Sequence, residues 1–154
     1  MLDTREIDNI LNEFLKPFDA TAFAGTDFSY YYSSSRIEYA FVTSERMDKL
    51  FMANAITLGL EVEVDTFLLA FMHELGHHET LDNIDDADYN YSADIKETLG
   101  TTDEDCLTYY NLPDELAATR WAINYINNHR EEIAELWNRL KVAIANFYAT
   151  NNIH

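Results

Sequence analysis

Apolar residues recur at helical spacing from the start of the chain. Ile7, Ile10, Leu11, Phe14 and Leu15 share one side of a helix expected over residues 3–16, with Pro17 just after it. The pattern then changes. Residues 28–32 and 37–42 are rich in aromatic and β-branched side chains, and Ser33, Ser34 and Ser35 between them suit a turn. Two short antiparallel strands are expected there. Helical character returns over 44–58, with Gly59 near its end, and residues 61–64 read as a short strand or a linker. Asp65 then stands where an N-cap belongs for a helix running to about residue 81. Its opening run, Thr66 to Met72, is apolar nearly all round, as in helices buried on every side. Residues 82–101 form a polar excursion with a short helix expected over 93–99. Thr102 can cap another short helix through Tyr110, and Pro113 sits at the first turn of a strong helix over 114–128. The last helix, over 131–149, places Ile133, Leu136, Trp137, Leu140, Ile144 and Phe147 on one broad face. No repeat, low-complexity tract or second domain is evident. The expected class is α+β, mostly helical with a small antiparallel sheet, in a single domain over 1–154.

Composition narrows the setting. A chain of 154 residues, 47% of them hydrophobic, can bury a core without disulfides and is globular rather than disordered. The single cysteine, Cys106, cannot form an intrachain disulfide, which fits a reducing compartment. The first residues carry no basic stretch followed by an apolar one, and no segment has transmembrane length. A cytoplasmic protein is expected. The formal charge of −18 predicts repulsion from nucleic acid and from anionic membranes. That charge is uneven. Asp82, Asp85, Asp86, Asp88, Asp94, Glu97, Asp103, Glu104 and Asp105 crowd one stretch in which Lys96 is the only base.

One motif carries chemistry: His73-Glu74-Leu75-Gly76-His77, an HExxH on the helix expected to be buried. Histidines at i and i+4 lie about 40° apart around a helix axis and project from one face. Their ring nitrogens can both reach a Zn²⁺ at roughly 2.0–2.1 Å. Glu74 is turned about 100° from His73, so it reaches a water on the metal's open side as general base rather than joining as a ligand. A buried helix also leaves two imidazoles and a carboxylate in need of partners, and a metal supplies one.

A catalytic zinc site takes a third protein ligand and keeps its fourth position open. The HExxHxxGxxH arrangement is absent, since Thr80 and Asn83 occupy the positions it requires. Glu115, 38 residues beyond His77 at the start of the next strong helix, is the best candidate. Ala118 and Ala122 on that helix would permit close approach to the zinc helix. Asp82, Asp85 and Asp86 are rival ligands, or could orient a ligand histidine.

Glu115-Leu116-Ala117-Ala118-Thr119-Arg120-Trp121-Ala122 resembles the ExxAnrFA element that follows HELGH in ImmA/IrrE-type metallopeptidases, with Trp121 in the aromatic slot. The resemblance spans residues 65–122. It implies a zincin-like domain whose small sheet packs on the HExxH helix. It also implies one zinc per chain held by His73, His77 and Glu115 in a gluzincin arrangement, with Glu74 as catalytic base. Family members act on repressor-type transcriptional regulators, so the implied partner is a protein or peptide substrate such as a DNA-binding regulator. The chain departs from the family after this element, where residues 123–128 read Ile-Asn-Tyr-Ile-Asn-Asn, and its acidic stretch is longer.

The expected function is zinc-dependent endopeptidase activity, with the strand over 37–42 offering its edge to an extended substrate. The alternative is a zinc-stabilised acidic interaction protein, phage-borne in one version, that blocks a basic host protein. Intact Glu74 favours the enzyme, because a structural metal gains nothing from a neighbouring base. Tyr109 and Tyr110 are guesses for a group that stabilises a tetrahedral intermediate, with packing the competing role. His78 is turned away from the ligand face, and His129 and His154 receive no chemistry.

Overall fold

The helix that carries His73 and His77 is packed against its neighbours along most of its length. In a computed structural model, which describes residues 3–25, 30–32, 35–40 and 44–150, the element order is as follows. Helix α1 (Arg5–Leu15) leads to strands β1 (Thr21–Ala24), β2 (Tyr30–Tyr32) and β3 (Arg36–Tyr39). Helices α2 (Glu45–Thr57), α3 (Thr66–Thr80), α4 (Asp86–Lys96), α5 (Asp103–Tyr110), α6 (Pro113–Asn128) and α7 (Arg130–Thr150) follow. The chain is therefore α+β, mostly helical with a small sheet. Among the described residues no helix is long and apolar enough to cross a membrane.

Local chemistry explains the helix starts. The Ser44 side chain accepts from Met47 N–H, Asp65 from Phe67 N–H, and Thr102 from Asp105 N–H, each satisfying a donor the helix leaves orphaned. Pro113 opens α6, where its missing N–H costs nothing. Helix α4 is longer and earlier than the 93–99 expected, and Asp85 caps it through Ala87 N–H. Ser92 is its one buried residue, so no apolar stripe announces it. Residues 61–64 are a linker.

The sheet corrects the antiparallel expectation. β2 and β3 do pair antiparallel, with Tyr31 opposite Ile37. β1, which the sequence pattern did not reveal, joins β3 in parallel with Ala22 opposite Ile37. The order β1-β3-β2 follows from the path: the chain runs out along β1, reverses in β2, and returns between them along β3. β3 is consequently central and has no edge to offer a substrate, contrary to the role expected for residues 37–42. Asn12 of α1 closes β1's outer edge, donating to Ala22 C=O at 3.2 Å and accepting from Ala22 N–H at 2.8 Å. Residues 28, 29, 33, 34, 41 and 42 of the expected hairpin lie outside the described residues.

Leu68, Leu69, Phe71, Met72 and Leu75 of α3 are all fully buried. Helix α3 meets the sheet, α2 and, most extensively, α6. The α3–α6 approach is set at Gly76. A Cβ there would press into the Ala118 carbonyl group and lie 2.9 Å from Ala118 Cα, closer than real Cβ atoms come to backbone. Ala118 and Ala122 are themselves fully buried, so small residues on both helices bring the two backbones together. That approach positions the site.

Candidate metal centre

Helix α3 projects His73 and His77 from one face, with ring centroids 4.7 Å apart and planes at 81°. The close crossing with α6 delivers Glu115 to the same point. Glu115 Oε2 lies 2.6 Å from His77 Nε2, and Oε1 lies 3.7 Å from His73 Nε2. The ligand atoms offered by His73, His77 and Glu115 all fall within 4.8 Å of one another, a group that could hold a metal ion. The sequence expectation named these three residues, and the structure brings them together.

The donor set fits a cation. Glu115 is 4% exposed, and its Oε2 finds no hydrogen bond of acceptable geometry despite its closeness to His77 Nε2. A buried carboxylate oxygen without such a bond is costly, and atoms converging on a common point meet each other poorly but meet a metal well. His73 is aimed from behind. Its Nδ1 lies 2.9 Å from the hydroxyl of Thr119, which is fully buried on α6 one turn after Glu115. With Nδ1–H donating to Thr119 Oγ1, the Nε2 lone pair faces the site, the arrangement common behind metal-ligating histidines. The Phe51 ring packs edge-on against His73 at 5.4 Å and holds its other side.

Electrostatics tie the cluster together. Burial pushes the His73 pKa down, but the hydrogen bond and charge of Glu115, with the charge of Glu74, raise it overall. Burial would raise Glu115, yet His73 and His77 hold it well below the usual carboxylate range. Glu74 goes the other way: burial raises its pKa, and the histidines offset this only in part. Its Oε1 stands 4.0 Å from His73 Nε2, beside the ligand group rather than within it. A carboxyl displaced upward is suited to exchanging protons near neutral pH.

The two tyrosines separate. Tyr109 is at the site: partial burial and then Glu115, Glu74 and Asp114 raise its pKa, and its hydroxyl interacts with Glu115. Tyr110 turns to α2, packing on Phe51 and reaching Met47 C=O at 3.4 Å. Asp85 is the α4 cap, and neither it nor Asp82 nor Asp86 belongs to the ligand group. His78 is structural, with Nδ1 3.0 Å from Tyr31 Oη and Nε2 2.7 Å from Phe18 C=O, tying α3 to β2 and the turn after α1. His129 stacks on Tyr125 at 3.9 Å. His154 lies outside the described residues.

Sequence reasoning missed five contributors, Phe51 among them. Thr119 and Gly76 had weak signals, one four residues after Glu115 and the other inside the motif. Asp114 and Lys96 had none. Asp114 is 7% exposed, and Lys96 Nζ, arriving from α4, pairs with it at 2.8 Å. No protein-family model matches the chain, and comparison with curated proteins and with solved structures finds no similar one.

Proposed function

We propose that this chain is a zinc-dependent endopeptidase acting on a protein substrate, with His73, His77 and Glu115 holding one Zn²⁺ and Glu74 as general base. The observation that carries the reading is the convergence of these ligand groups within 4.8 Å, from two helices, beside a second buried carboxylate. Two imidazoles and one carboxylate are one of the three-ligand sets that catalytic zinc uses, whereas structural sites are closed by a fourth protein ligand. Bound there, zinc supplies Lewis acidity toward a peptide carbonyl. Glu74 takes the proton of the attacking water and passes it to the leaving amine. Thr119 and Phe51 keep His73 in place throughout. The likeness of residues 115–122 to the second element of ImmA/IrrE-type metallopeptidases agrees with this reading. It makes a DNA-binding transcriptional regulator, met in the cytoplasm, the proposed substrate.

Protein purified without chelators should carry one zinc per chain and cleave members of an unstructured peptide library. Chelation should remove both properties, and added zinc should restore them. Stoichiometric zinc in both His73→Ala and His77→Ala would remove the site assignment. Zinc fully retained in Glu115→Ala would require another third ligand.

One observation favours the second reading, an acidic protein that occupies a basic partner. Residues 85–91, including Asp85, Asp86, Asp88, Tyr89 and Tyr91, are all exposed, so α4 presents carboxylates and aromatic rings together. Zinc would then serve stability, and loss of Glu74 would leave partner capture unchanged.

A further inference from the structure

Lys96 is the sole base in the acidic stretch, and the fold carries it to the metal centre. Its Nζ lies 2.8 Å from Asp114 Oδ2, 3.8 Å from Glu115 Oε2 and 5.0 Å from the centre of the Tyr109 ring. Glu115 Oε2 is the same oxygen that stands 2.6 Å from His77 Nε2. A second cation is therefore built in next to a ligand oxygen.

Exposure differs among the groups around Glu115. The side chains of Glu115 and His73 are 5% and 9% exposed, that of His77 16%, and that of Lys96 28%. Tyr109, taken as a whole residue, is 38% exposed. Lys96 and Tyr109 are therefore the groups around Glu115 that solvent reaches most readily. Asp114 engages one of the ammonium's three donors. Its pairing with Asp114 keeps the ammonium beside the neighbouring Glu115, so a second positive charge stands next to a proposed ligand oxygen.

We propose that Lys96 is the cationic partner of an anionic oxygen at the open side of the metal centre, with Asp114 holding its ammonium and Tyr109 forming the adjacent wall. The proposal rests on the metal site proposed above and names the chemistry of its ligand: an oxygen anion shared between metal and ammonium. That anion is either the oxyanion developing on a scissile carbonyl or a terminal carboxylate of a bound peptide. Charge-assisted hydrogen bonds are the strong ones, and a partly buried ammonium beside a metal provides one only to an anion.

The test uses cobalt(II)-loaded protein, whose visible absorption reports ligands entering the metal's coordination sphere. Methylphosphonate, a tetrahedral anion, and acetate, a planar one, are titrated into wild type, Lys96→Met and Lys96→Arg. Lys96→Met should still bind one cobalt yet hold the anions about tenfold more weakly, as expected when a charge-assisted hydrogen bond is lost. Lys96→Arg should recover most of that loss. A larger loss for methylphosphonate assigns the oxyanion, and a larger loss for acetate assigns the carboxylate terminus. If Lys96→Met folds poorly because Asp114 is left unpaired, Lys96→Met combined with Asp114→Asn removes both charges and gives the same comparison. Unchanged affinity for both anions in cobalt-loaded variants overturns the proposal while leaving the metal site standing. Failure of wild type to bind cobalt overturns the site itself.

Discussion

The first turn of α6 and the first turns of α4 hold their carboxylates in opposite ways. Asp114 and Glu115 are 7% and 4% exposed and meet Lys96, His77 and His73 within a few ångströms. Asp86 and Asp88 stand on a helix whose only buried residue is Ser92. The same residue chemistry therefore does different work. Buried carboxylates are tolerated only with partners, so their positions are specified closely by the helices around them. Exposed ones stay hydrated and leave the local geometry almost unconstrained. Substitutions should consequently be severe around α3–α6 and mild on the exposed face of α4, away from Lys96.

The sharpest way to break this contrast is at the crossing itself. Gly76→Ala forces a methyl group into the Ala118 backbone, an overpacking that should cost about 1–3 kcal/mol or more and loosen metal binding with it. Denaturant unfolding of the metal-free variant against metal-free wild type measures the packing part alone. Equal midpoints would mean that the helices do not approach as described. Metal removal comes next. A ligand bound to the native state stabilises it by mass action, about 2.7 kcal/mol at ~100-fold excess over Kd. Chelated protein should therefore melt lower, and identical melting curves with metal loss verified would contradict a buried site.

Thr119→Val is smaller and more specific. It keeps the volume and removes the hydroxyl 2.9 Å from His73 Nδ1, so metal affinity should fall about tenfold with little change in the metal-free fold. A chelator competition titration reads the difference, and undiminished affinity would leave the orientation of His73 to Phe51 alone. Smallest of all is the combined change Asp86→Asn, Asp88→Asn, Asp94→Asn on exposed positions of α4. Asp85 and Asp103 are spared because one caps α4 and the other pairs with Arg46. Each replacement should move stability by no more than about 0.5 kcal/mol, so the three together by no more than about 1.5 kcal/mol. A loss of several kcal/mol would erase the distinction between the two regions.

The contrast also explains what the sequence made legible. Three helices were readable from local chemistry: α1 from its apolar stripe, α3 from its Asp65 cap and α6 from Pro113 at its first turn. The His73, His77 and Glu115 group was readable because HExxH sets two histidines on one helix face and an acidic residue on the next strong helix is a short list. β1 was not, because Thr-Ala-Phe-Ala gains its partner only when β3 arrives between it and β2. For the same reason the central place of β3 was missed. α4 was misplaced because polar helices have no hydrophobic period. Lys96 reads in sequence as a stray base among acids, and only the packing of α4 on α6 discloses its neighbours.

The central claim is that Glu74 acts on a proton beside a metal that it does not bind. Glu74→Gln keeps size and shape, removes the base and leaves His73, His77 and Glu115 intact. Zinc content, melting temperature and cleavage of the peptide library are measured together on wild type and variant. The account predicts equal zinc, a similar melting temperature and cleavage reduced by about 10²–10⁴-fold. Full cleavage by a zinc-loaded Glu74→Gln protein would contradict it.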